Sequence, residues 1–148
     1  MRKIQFKGKT KVIAGDTYNM GKSDGEWVKG YLYNDVGCWR IKQFETHHAD
    51  YIGYEVDPET VSEYIGKTDK NGKDIFEGDI LHFVNDYNGA FWKEWNCIVE
   101  FVDGAFVCQY PHQDTYVNFN GWAETVSYEV IGNVYDNADL LKGEGENA

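Results

Sequence analysis

Four histidines, three cysteines and 25 carboxylates are the groups of this 148-residue chain with the means to do chemistry. His47-His48-Ala49-Asp50 offers imidazole and carboxylate, both zinc ligands. Adjacent histidines on a strand point to opposite faces, and only the tertiary fold could bring His82 or His112 to them. Asp69, Asn71, Asp74, Glu77 and Asp79 have the density of a calcium loop. An EF-hand starting at Asp69 needs oxygen ligands at positions one, three and five and glycine at six. Here Lys73 stands at five and Asp74 at six, so a plain hairpin turn is the better reading. There is no P-loop, GxSxG, HExxH or Cys–His pair at a recognised spacing. A carboxylate pair in a cleft, drawing on Asp57 or Asp79, is the one route to a hydrolase or nuclease. So many acids meet somewhere by chance. We expect no catalytic residue, no metal and no cofactor.

Cys38, Cys97 and Cys108 read as small buried hydrophobes, since the sequence around Cys97 and Cys108 offers no electropositive neighbourhood to activate a thiol. The segment 85–95, NDYNGAFWKEW, is different. Four aromatics stand among polar and flexible residues, and large rings bury much area at small entropic cost, the usual basis of a binding hot spot. Tyr87, Phe91, Trp92 and Trp95 are therefore the candidate binding residues. The alternative is that their rings fold back onto the core.

Charge narrows the partners. The chain carries −11, divided unevenly: residues 1–42 hold nine Lys/Arg against four Asp/Glu, and residues 43–148 hold five against 21. An acidic surface repels phosphate backbones, so direct duplex binding is not expected. The basic N-terminal third could lie against the acidic remainder, within one chain or between copies, or both charges could simply face water. Every apolar run is broken before about 18 residues, which predicts no transmembrane span. The N-terminus MRKIQFKGK alternates too quickly for a signal peptide, so the cytoplasm is the expected compartment.

The elements that must position these residues are mostly strands. With 42% hydrophobic and 16% aromatic residues, the chain can build a core. Ile4 and Phe6 alternate with polar neighbours as a half-buried strand ended by Gly8. Asp24-Gly25 turns the chain into a strand over 27–33, a turn over 34–37 leads to one over 38–44, and 51–56 follows. Asp57 is a good N-cap, Pro58 suits the first helical position, and Val61, Tyr64 and Ile65 fall at i, i+3 and i+4 before Gly66. That predicts about two turns of helix. Asn71-Gly72 predicts a type I′ turn, and Glu77-Gly78-Asp79 bends the chain into 80–84. An Asp103-Gly104 loop sets Val102 opposite Ala105, Phe101 opposite Phe106, Val99 opposite Cys108 and Cys97 opposite Tyr110. Cys97, Val99, Phe101, Phe106, Cys108 and Tyr110 then form a core face, and the face of Ile98, Glu100, Val102, Ala105, Val107 and Gln109 is half exposed. A last strand spans 128–135. Asp136-Asn137 cap a turn that tucks in Leu140 and Leu141, and 143–148 is expected to be a disordered tail.

Three blocks carry a resemblance: FKGK with GEWVKGYL near the N-terminus; residues 57–81, including DPETV, TDKNGK and EGDI; and YEVIGNVYDNADLL over 128–141. In this order they resemble the YopX family of phage and prophage proteins. The resemblance implies a phage- or prophage-encoded, cytoplasmic, mostly β protein, and brings no catalytic residues to transfer. The expectation is thus a mainly β fold with one or two short helical turns, as small, strongly bent sheets or an SH3-like barrel in the C-terminal part. One YopX-like domain would span 1–142, divisible into an N-terminal β subdomain (1–56) and a small barrel (75–136). The expected function is non-enzymatic, by contact with a host protein or by homo-oligomerisation. The alternatives are an acidic nucleic-acid mimic that occupies a host protein, and a carboxylate-based hydrolase or nuclease.

Overall fold

The computed structural model describes residues 1–12, 22–43, 53–111, 113, 115–120, 122 and 124–142. Among them the protein is mainly β: eleven strands and two short 3-10 turns, in two compact units, Met1–Tyr64 and Ile65–Ala148.

In the first unit β1 (Phe6–Lys9) is the central strand. It pairs antiparallel with β2 (Trp27–Asp35) on one side and with β5 (Ser62–Thr68) on the other; β3 (Cys38–Lys42) and β4 (Tyr54–Glu55) extend the sheet beyond β2. Val28, Ile41 and Val56 are buried at its core, with Phe6, Leu32, Tyr54 and Val61 packed around them. The expected alternation near the N-terminus holds for Phe6, which packs on the core, but Gln5 and Lys7 are buried as well and Ile4 is exposed. A central strand has a neighbour along each edge, whose side chains can cover it on either face. Lys7 fits because its apolar stem can be covered while its ammonium sits 4.8 Å from the centre of the Trp27 ring. Gly8 is interior to β1, not its end.

The two-turn helix expected after Asp57 is not formed. Asp57 does cap, its carboxylate accepting from Glu59 N at 3.0 Å, but the 3-10 turn stops after Pro58–Thr60. Val61, Tyr64 and Ile65 lie in or beside β5 instead. Two turns of helix are marginal alone, whereas β-branched and aromatic residues pair readily with an available strand. Thr60 secures the changeover, its hydroxyl accepting from Lys9 N at 2.9 Å and donating to Asp57 O at 2.7 Å.

In the second unit the end of β5 pairs with β6 (Asp74–Phe76), and a five-stranded antiparallel sheet follows. Its strands are β7 (Asp79–Asn85), β8 (Glu94–Val102), β9 (Ala105–Gln109), β10 (Tyr116–Asn118) and β11 (Val126–Asn133), in the order β10-β9-β8-β7-β11. β10 and β11 are opposite edges, so the C-terminal part is an open sheet and not an SH3-like barrel. The β5–β6 turn protects the β11 edge in place of closure. Lys70 N donates to Tyr128 O at 3.1 Å, and the buried Asp69 carboxylate accepts from Val130 N (3.0 Å), Asn71 N (2.8 Å) and Lys73 N (2.9 Å). This is a type I turn with Asp69 first and Gly72 at φ +81°, Gly72 N donating to Asp69 O. Asn71 is not in the left-handed region, so the expected type I′ turn is corrected.

The Asp103-Gly104 hairpin has the expected register, with φ +49° and +81° at its two loop residues. Cys97, Val99 and Cys108 join Ile75, Leu81, Phe83 and Phe119 in the core, where a fully buried Phe or Leu contributes about 1.5–3 kcal/mol. Two assignments of face are corrected. Phe101 is exposed, edge-on to Phe106 near the hairpin tip, where the core has run out. Val107, on the face expected to be half exposed, is buried. That face is partly covered by the C-terminal 3-10 turn (Ala138–Leu141), whose Leu140 carbonyl accepts from the Asn96 amide. Leu140 and Leu141 are half-buried there, and residues 143–148 lie outside the described residues.

Candidate functional site

Between β7 and β8 the chain leaves the sheet. Asn85 starts the excursion, its side-chain oxygen accepting from Tyr87 N at 3.0 Å, and Ala90 N closes a turn onto Tyr87 O at 3.1 Å. The strands resume when Asn85 N reaches Lys93 O at 2.8 Å. A short loop held at both ends has little interior, so its rings project. Tyr87, Phe91 and Trp92 are 60%, 89% and 67% exposed. Phe91 and Trp92 meet edge to face, centroids 5.3 Å apart and planes at 83°.

Trp95 behaves differently. It lies on the core face of β8, stacked on the fully buried Phe83 at 5.3 Å with planes 8° apart. Trp122 and Tyr128 lean on the same Phe83 ring, each at 5.2 Å. All four candidate binding residues border one cleft of about 660 Å³: three exposed rings as walls and Trp95 in the floor. Both readings of the segment are therefore represented, since three rings point outward and one folds back. Trp122, Tyr110 and Pro111 also line the cleft and were not among the binding candidates read from the sequence, where Tyr110 was placed on a core face. Tyr110 continues the apolar face of the β8–β9 hairpin, a signal that could have found it. Trp122 had none, because only folding brings it beside Trp95 (6.0 Å).

The chemistry of the cleft is neutral. Apart from tyrosines, its described lining consists of apolar residues, the amides of Asn85, Asn96 and Gln113, and the Thr115 hydroxyl. Burial, and then proximity to Cys97 and Cys108, raises the Tyr110 phenol above its usual pKa, so it is protonated at neutral pH. The indole N–H groups of Trp95 and Trp122 are buried and meet no acceptor in hydrogen-bond geometry among the described residues. Burial pushes the Cys97 thiol up to about 12, which the adjacent Trp95 indole offsets only in part. Cys108 is raised by burial and then by Cys97. Val99 stands opposite Cys108, so the two cysteines are diagonal neighbours and both are free.

The other candidates fall elsewhere. Asp57 serves the 3-10 turn, and the buried Asp79 accepts from Phe76 N at 2.8 Å. His82 pairs through Nδ1 with the Asn96 side-chain oxygen (2.7 Å), with Glu94 3.8 Å from its Nε2. His47, His48 and His112 lie outside the described residues. Among the described residues no three His, Cys, Asp or Glu side chains gather, and no helix is long and apolar enough to cross a membrane.

Comparison with known proteins agrees with the fold. The family model described as YopX protein matches residues 7–142. The SPbeta prophage-derived uncharacterized protein YopX of Bacillus subtilis (strain 168) is 31% identical over 126 residues, covering 82% of this chain and 80% of that protein. The crystal structure of protein yopX from Bacillus subtilis superposes with a TM-score of 0.54 at 22% identity, over 97% of this chain and 98% of that one. Protein EF1440 from Enterococcus faecalis gives 0.46 at 21% identity, over 96% and 100%.

Proposed function

Because this chain belongs to the YopX family, we propose that it is a prophage-borne, cytoplasmic accessory protein that acts by gripping another protein, without catalysis. The observation that supports this most is the cleft: three exposed rings over a stacked aromatic floor, with no carboxylate, histidine or amine among its described lining residues. Exposed rings beside a packed aromatic base have the composition of an interaction hot spot. The hydrolase alternative lacks such support, since Asp57 and Asp79 each accept a backbone N–H where they stand. The acidic-mimic alternative has one observation in its favour: the second unit holds five Lys against 15 Asp/Glu, or −10.

A photo-reactive phenylalanine analogue at Ala90 tests contact through the cleft in cells that make the protein. It should crosslink to a discrete polypeptide, and the adduct should vanish when Phe91→Ala and Trp92→Ala are added. Adducts that persist unchanged in the double variant would refute the proposal.

A further inference from the structure

We infer that the cleft receives an arginine side chain from a basic polypeptide partner. This rests on the contact reading above and adds the chemistry of the occupant. The inference starts from the shape of the walls. Phe91 and Trp92 stand at 83° in edge-to-face contact, a corner in which one ring's edge already covers part of the other's face, and both rings are largely exposed. A planar guanidinium can stack on a face that this contact leaves uncovered, and it sheds water more readily than an ammonium. No cation lies among the described residues that line the cleft; Lys93 borders the neighbouring hollow that Phe91 also lines.

Charge then selects among flat ligands. A nucleobase would also stack, but it brings phosphates to a unit that carries −10. A neutral apolar side chain would fill the corner without using that field. Asp86, Glu94 and Lys93 border a second hollow that shares Asn85 and Phe91 with the cleft, so the charge beside that ring is net acidic. At the rim, the Gln113 amide oxygen and the Thr115 hydroxyl supply acceptors of the kind a guanidinium edge needs. The occupant that uses rings, acids and acceptors together is arginine on an extended basic segment.

The test uses the full chain and three synthetic hexapeptides with alternating glycine: one carrying three arginines, one three citrullines of nearly the same shape without charge, and one three glutamates. Indole N–H signals of Trp92, Trp95 and Trp122 report occupancy by NMR. The arginine peptide should shift them saturably, roughly tenfold more tightly than the citrulline peptide. Its binding should weaken with added salt, and Phe91→Ala/Trp92→Ala should abolish the shifts while the core signals stay in place. Equal binding of the citrulline or glutamate peptide would overturn the inference and leave the contact reading standing. So would arginine-induced shifts confined to surface carboxylates away from the indoles. Indole shifts produced by raising the protein's own concentration would assign the cleft to a second copy, again overturning the arginine inference alone. Failure of the Ala90 crosslink would instead remove the contact reading itself.

Discussion

Replacing Asp69 with alanine should cost the second unit far more than a polar residue in a turn usually does. Its carboxylate accepts three backbone N–H bonds of 2.8–3.0 Å, two within its own turn and one from Val130 on β11, 61 positions away. Hydrogen bonds to a charged acceptor contribute about 1.5–3 kcal/mol each, but water can replace much of the two in the exposed turn, leaving about 1 kcal/mol apiece. Val130 N lies beneath the turn, and an orphaned donor there costs about 1–3 kcal/mol. The expected loss is about 3–5 kcal/mol for Asp69→Ala, and about 1–3 kcal/mol for Asp69→Asn, which keeps one acceptor oxygen. Urea unfolding followed by tryptophan fluorescence gives the magnitude, and amide exchange at Val130 and Lys73 reads the second unit by itself. Acid provides an independent check. Burial alone would raise the Asp69 pKa, but the N–H donors of Val130, Lys73 and Asn71 and the charge of Lys73 outweigh it and hold it below its ordinary value. With the folded pKa depressed, the unfolded chain binds the proton first. The stabilisation is therefore present above about pH 4 and is lost as pH falls below that, through the folded value. The Asn variant should lack that part of the acid dependence. A loss under about 0.5 kcal/mol for Asp69→Ala, or acid profiles that run parallel in wild type and Asp69→Asn, would refute the reasoning.

Three further outcomes follow from local geometry and burial. Val36 sits at φ +49° and 98% exposed at the tip of the β2–β3 hairpin, where a β-branched residue is strained; Val36→Asn should stabilise the protein by about 1 kcal/mol in thermal or urea unfolding, and a decrease would count against the turn as described. In native protein at pH 8, Ellman's reagent should modify the half-exposed Cys38 quickly and Cys97 and Cys108 only on unfolding, giving one fast thiol and then three in denaturant. The raised thiols also predict a loss of stability as pH climbs from about 9 toward the folded values, because the unfolded chain ionises first.

The residues that carry the family resemblance are largely those that hold strands together. Asp57 caps, Thr60 ties the 3-10 turn to β1, Asp69 binds the β5–β6 turn to β11, and Asp79 accepts from Phe76 N. The signature is thus a folding signature, which is why it could be recognised without revealing any chemistry. The candidate binding residues stood in a stretch with no family motif. Tyr87, Phe91, Trp92 and Trp95 were legible there because aromatic residues concentrated in a loop are unusual, whatever the fold around them.

By itself the sequence determined the strand-rich class, the Asp57 cap and the register of the Asp103-Gly104 hairpin, because each depends on residues a few positions apart. The cap and the two-residue loop at Asp103-Gly104 are set by neighbouring residues, although the same local rules misassigned the turn type at Asn71-Gly72 and the burial of Gln5 and Lys7. Tertiary structure decided what local rules leave degenerate. Val61, Tyr64 and Ile65 fit one face of a helix, but β1, more than 50 residues earlier, supplied the partner for the start of β5, which takes in Tyr64 and Ile65 and leaves Val61 at the end of the 3-10 turn. Parity places Phe101 on the core side but cannot say where the core ends. It likewise cannot say that Trp122 would arrive beside Trp95, or that the edge of β11 would be covered by a turn and not by a closed barrel. Those outcomes depend on which distant surfaces meet, and that is settled only when the whole chain buries its apolar area together.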